Sequence, residues 1–92
     1  MTAPLDLEEL RRKIDAVDKE ILKQLRERVG LVMLVGEYKR ERNIPVYDPK
    51  RERDLLERLS NAAEHPLDRE FVHNVFERLV DESRRIEQHH ID

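Results

Sequence analysis

From Leu7 onward the apolar residues recur at helical spacing with no proline before Pro45. They fall at Leu7, Leu10, Ile14, Val17 and Ile21 and resume at Leu31, Val35 and Tyr38, beside a flanking stripe at Leu22, Leu25, Val29 and Val32. Asp6 can cap this run, with Glu9 three residues later in the manner of a capping box. The spacing predicts one helix over about 6–42, about 55 Å long at 1.5 Å per residue, whereas a compact globule of this chain length has a radius of gyration near 12 Å. Such a helix overshoots its own domain. Its apolar stripe needs more cover than one short chain can supply, and a second copy of the same chain is the simplest cover.

Asn43-Ile44-Pro45-Val46-Tyr47 cannot continue the helix, and Asp48-Pro49 reads as an N-cap and first-turn pair for a second helix, about 49–63. Glu64-His65-Pro66 breaks the pattern again. Leu67-Asp68 then reads as staple and cap of a third helix over about 67–89, with its last residues fraying. The expected fold is all-α: one domain over 1–92, one very long helix and two shorter ones, paired as an intertwined homodimer. Gly30 and Gly36 inside the long helix each cost about 1 kcal/mol relative to alanine, so a close packing contact there is expected.

The chain has 92 residues, 38% hydrophobic and 42% charged, with a net charge of −3. The periodicity of the apolar residues separates it from disordered sequences, and the interleaved charge of both signs argues against a nucleic-acid partner. There is no cysteine, hence no disulfide and no thiolate metal site. Met1-Thr2-Ala3-Pro4 does not begin a basic and then apolar leader, and no segment reaches the roughly 18 apolar residues of a membrane span, so a cytoplasmic protein is expected.

Some polar residues stand where helical spacing calls for core. Gln24 and Arg28 interrupt the seam of the long helix, and at 100° per residue Arg28, Val32, Val35 and Lys39 fall within about 60° of one another. Two cations thus bracket two valines, either as a pocket wall or as edge residues whose heads snorkel to water. In the third helix the stripe Val72, Phe76, Val80 passes into Ser83 and Glu87, which need partners; a fraying helix end, or a salt bridge to Arg84 or a facing arginine, is the plainer account. Asp48, Arg51, Glu52 and Leu55 share a face of the second helix, where a cap and a surface ion pair are the plainer account. Arg11 lies about 25 Å along the helix from Arg28, too far for one helix to offer both to one small ligand. No phosphate loop, nucleotide fingerprint or nucleophile elbow is present, and the four histidines lack ligand spacing and read as surface or tail residues.

The run Leu10-Arg11-Arg12-Lys13-Ile14-Asp15-Ala16-Val17-Asp18, the pair Glu27-Arg28, the segment Gly36-Glu37-Tyr38-Lys39 and the stretch Pro45-Val46-Tyr47-Asp48-Pro49-Lys50-Arg51-Glu52 closely resemble the all-helical class of chorismate mutases over nearly the whole chain. The resemblance implies an intertwined dimer with two active sites, each taking Arg11 from the partner chain. It also implies a concerted rearrangement of chorismate to prephenate on the route to phenylalanine and tyrosine, with no metal and no cofactor. By the same resemblance Arg28 and the partner's Arg11 would hold the two substrate carboxylates, for which planar guanidinium forks are suited. Lys39 would donate to the ether oxygen, Asp48 and Glu52 would meet the hydroxyl region, Arg51 and Ser83 would support, and Val35, Leu55 and Val80 would form apolar walls.

Glu87 occupies a position that is glutamine in some family members. A carboxylate facing the ether oxygen would repel the charge that grows there, so Glu87 is expected to act protonated, with its pKa raised by burial. Arg11, Arg28, Lys39 and Glu87 are therefore the expected catalytic residues. Two other functions suit the same sequence: a lyase of this fold that releases pyruvate from isochorismate, and a non-enzymatic helical dimerisation module in which Arg28, Lys39 and Glu87 form a buried ionic network.

Overall fold

The computed structural model describes residues 6–92, so the leader expectation on Met1–Pro4 lies outside the described residues. Three helices follow in order, α1 (Leu7–Glu41), α2 (Pro49–Asn61) and α3 (Arg69–Ile91). Each begins at an aspartate whose Oδ1 accepts a backbone N–H of the first turn: Asp6 from Glu8 (3.0 Å), Asp48 from Arg51 (3.1 Å) and Asp68 from Phe71 (2.8 Å). A carboxylate there satisfies an orphan donor and opposes the positive end of the helix dipole. The expected capping box does not form at α1, because Glu9 turns the other way, 3.7 Å from Lys13 on the next turn.

α1 ends in a Schellman motif. Asn43 adopts the left-handed conformation (φ 55°), its N–H donates to Arg40 O (3.3 Å), and Ile44 N–H donates to Lys39 O (2.8 Å). α2 stops two residues before the expected 63, because Ala62 and Ala63 donate to Leu59 and Ser60 in tight three-residue turns. α3 starts at Arg69 rather than 67, since Asp68 and the residue before it belong to the cap. Its end at Ile91 corrects the expectation of fraying after 89: His90 Nε2 lies 2.8 Å from Glu37 Oε1, and Arg40 donates to Ile91 O (3.3 Å). The tail is latched to α1.

α1 and α2 both pack on α3 and not on each other. Leu55, Val72 and Val80 form a small core, joined by the buried polar residues Ser60, Ser83 and Glu87. Gly36 is where α1 approaches α3 most closely, for a Cβ added there would stand 2.9 Å from Glu87 Cγ and 3.2 Å from Ile91 Cγ2. Gly30 has no such neighbour within the protomer.

The protomer measures 63 × 25 × 14 Å, with a radius of gyration of 17.4 Å, as the 35-residue α1 dictates. α2 and α3 cover only its C-terminal half. Leu7, Ile14, Val17 and Ile21 on the other half are 50–58% exposed. Among the described residues no helix is long and apolar enough to cross a membrane.

Candidate active site

Because α1 and α2 stand apart on α3, a cleft of about 170 Å³ opens between them, with α3 as its floor. Each helix contributes one stripe at helical spacing: Arg28, Val32, Val35 and Lys39 from α1; Arg51, Glu52 and Leu55 from α2, preceded by Asp48; and Val80, Ser83, Arg84 and Glu87 from α3. Val46 closes the end where α1 turns into α2. The two readings of Arg28 and Lys39 are thereby decided in favour of a pocket wall.

Ser83 is buried because it is a relay. Arg28 donates to its Oγ (3.0 Å), and the hydroxyl in turn donates to Leu79 O (2.7 Å). Burial, and next the charge of Arg51, lower the pKa of the Arg28 guanidinium. Arg nevertheless keeps its proton, so two guanidinium groups, Arg28 and Arg51, line one cleft, which favours an anion.

At the other end, Lys39 Nζ donates to Val46 O (2.9 Å) and stands 3.9 Å from Glu87 Oε2. Glu87 is only 6% exposed, and its Oε2 has no hydrogen-bond partner in the protein. Burial pushes the Glu87 carboxyl pKa up, with help from Glu52 and against the opposing pull of Lys39 and Arg84. An ammonium and a carboxyl poised to hold its proton therefore converge on one point.

Glu52 is taken by Arg84, whose Nε donates to Oε2 (2.9 Å) and whose NH2 donates to Oε1 (3.2 Å). Asp81 Oδ1 accepts from the same NH2 (2.8 Å), and the guanidinium carbon lies 4.7 Å from the centre of the Tyr47 ring. Asp48 is occupied as the cap of α2. With Glu52 paired to Arg84, the three cations Arg28, Lys39 and Arg51 outnumber the two remaining carboxyl groups, Asp48 and Glu87, and leave the cleft with an excess of positive charge. Among the described residues no group of three or more His, Asp or Glu side chains is placed to hold a metal ion.

Every expected site residue lines this cleft except Arg11, which is 61% exposed and pairs with Glu8 (3.1 Å) on the uncovered half of α1. The site expected from sequence leaves out Arg84 and Val46, while Val32 takes the place that the pocket-wall reading of α1 gave it. Arg84 is detectable, because 80, 83, 84 and 87 complete one helical face of i, i+3, i+4 and i+7. Val46 carries no periodic signal; it is placed by the turn after the Schellman motif.

The chain is an all-α, three-helix protein with a cationic cleft between two helices, a charge and shape that suit a small anionic ligand. The chain belongs to the chorismate mutase type II family, whose profile matches residues 10–88. It is 32% identical over 87 residues to a chorismate mutase from Methanocaldococcus jannaschii, covering 94% of this chain and 88% of that protein. It is also 32% identical over 88 residues to a 4-amino-4-deoxychorismate mutase from Streptomyces venezuelae, covering 95% of this chain and 85% of that one. Its fold matches the crystal structure of chorismate mutase from Helicobacter pylori in complex with prephenate, with a TM-score of 0.84, 32% identity and 92% of each chain covered. Bifunctional chorismate mutase/prephenate dehydratases match as well, and of two such relatives this chain spans 15% and 22% of the length.

Proposed function

We infer that this chain converts chorismate to prephenate, a step of aromatic amino acid biosynthesis, and does so as a homodimer with shared sites. The observation that carries this reading is the convergence of Lys39 and the buried, unpartnered Glu87 Oε2 at one end of a cleft whose other end holds Arg28 on Ser83. In the rearrangement the ether C–O bond breaks as a C–C bond forms, and negative charge grows on the ether oxygen. Lys39 and protonated Glu87 are disposed to donate to that oxygen. Preorganised donors of this kind contribute more in the transition state than in the ground state, because they need not reorient as charge develops.

Arg28 would take one substrate carboxylate, and Arg11 of the partner subunit would take the other. The exposed apolar half of α1, on which Arg11 lies, supports this pairing. Val35, Leu55 and Val80 would press the ligand into its compact conformer, and fixing near-attack geometry lowers the barrier of a unimolecular step. Asp48, Arg51 and Glu52 would border the hydroxyl-bearing end.

The test is incubation of the purified protein with chorismate, with no metal or cofactor added, and chromatographic identification of the product against prephenate. Prephenate formed well above the spontaneous rate is the expected result. A folded protein that leaves chorismate unchanged would overturn the reading, and isochorismate with pyruvate detection would be the next assay.

A further inference from the structure

Arg84 is the cleft cation that the proposed chemistry does not use. It lines the cleft beside Glu52 and Glu87, grips both oxygens of Glu52 (2.9 and 3.2 Å), and is itself held by Asp81 (2.8 Å) and stacked near the Tyr47 ring (4.7 Å). Its side chain is thus fixed from three elements: α2, α3 and the turn between α1 and α2. We propose that Arg84 determines substrate specificity: by taking up the charge of Glu52, it makes the α2 wall a receptor for a neutral ring hydroxyl and a poor one for a cationic ring amine at the same place.

The proposal rests on the functional reading above and on elementary electrostatics. Each Glu52 oxygen accepts one bond from Arg84 and keeps a further lone pair, so a hydroxyl can still donate to it. An ammonium would gain from Glu52 but lose to Arg84, and Arg51 on the same wall adds to the loss. Deleting the Arg84 charge leaves Glu52 uncompensated in a half-buried wall, where an ammonium becomes its best available partner. A hydroxyl gains far less from that change. A residue that merely packed α2 against α3 would affect both ligands alike.

The experiment compares kcat/KM for chorismate and for 4-amino-4-deoxychorismate, which carries an amine in place of the ring hydroxyl. For Arg84→Met, which keeps the apolar stem, the amine-to-hydroxyl ratio should rise about tenfold or more, while Arg84→Lys, which keeps the charge, should stay within about threefold of the wild type. Glu52→Gln should move the ratio the other way, because the wall then loses its carboxylate while the cation Arg51 remains and Arg84 stays held by Asp81. The double variant should return toward the wild-type ratio. An unchanged ratio in folded Arg84→Met overturns the proposal; should that variant fail to fold, an unchanged ratio in Glu52→Gln overturns it. Wild-type protein that turns over neither compound would instead remove the functional reading, and the specificity proposal with it.

Discussion

Among single side chains, Glu87 carries the sharpest consequence. Its folded-state pKa is raised, first by burial and then by Glu52, so the native protein holds this proton more tightly than the unfolded chain does. The stability associated with neutral Glu87 is fully present below the ordinary carboxylate pKa and is lost as pH rises through the raised one. Turnover should fall over the same window, because an ionised Glu87 repels the charge developing on the ether oxygen. A kcat/KM profile against pH should therefore show an alkaline limb that disappears in Glu87→Gln; a limb that survives the substitution would assign it to another group. Glu87 and Ser83 are visible in the sequence as polar interruptions of a core stripe. Arg84 is legible there only by its place on the same helical face as Val80, Ser83 and Glu87; that it pairs with Glu52 shows only once α2 is packed on α3.

The helices are set by rules that act within a few residues. Three aspartate caps, Pro49 at the start of α2 and the left-handed Asn43 delimit them, and the resulting helix ends are legible in the amino-acid sequence to within about two residues. The latch of α3 onto α1 is not, since it depends on His90 meeting Glu37 and Arg40 meeting Ile91 O across a packed interface. Gly36 shows the two levels in opposition. Alanine there would favour the helix by about 1 kcal/mol, yet its Cβ would fall 2.9 Å from Glu87 Cγ. Gly36→Ala should accordingly lower kcat, by pushing Glu87 away from Lys39, while changing Tm little. A large loss of Tm with normal kcat would show that the close approach serves packing rather than the placement of Glu87.

Taken whole, the chain is 63 Å long and carries an apolar half-helix at its surface, which is the face the proposed homodimer would cover. Light scattering should report a dimer, and Tm should rise with protein concentration, because association stabilises the folded chain by mass action. If the sites are shared, Arg11→Ala and Arg28→Ala homodimers should both be inactive, and mixing them should restore about one working site per heterodimer. Verified heterodimers without activity would count against sites shared between the chains. Local sequence is enough to set the length of α1, the three-helix order and the faces bearing cations, because periodicity and capping act over a few residues and the rise of about 1.5 Å per residue is invariant. It takes the packed helices to establish that α1 and α2 stand apart on α3, that Arg28 rests on Ser83, and that Glu52 belongs to Arg84. Those pairings join residues 32 and 55 positions apart, and which charges meet across such a separation depends on how the helices pack, which no local pattern encodes.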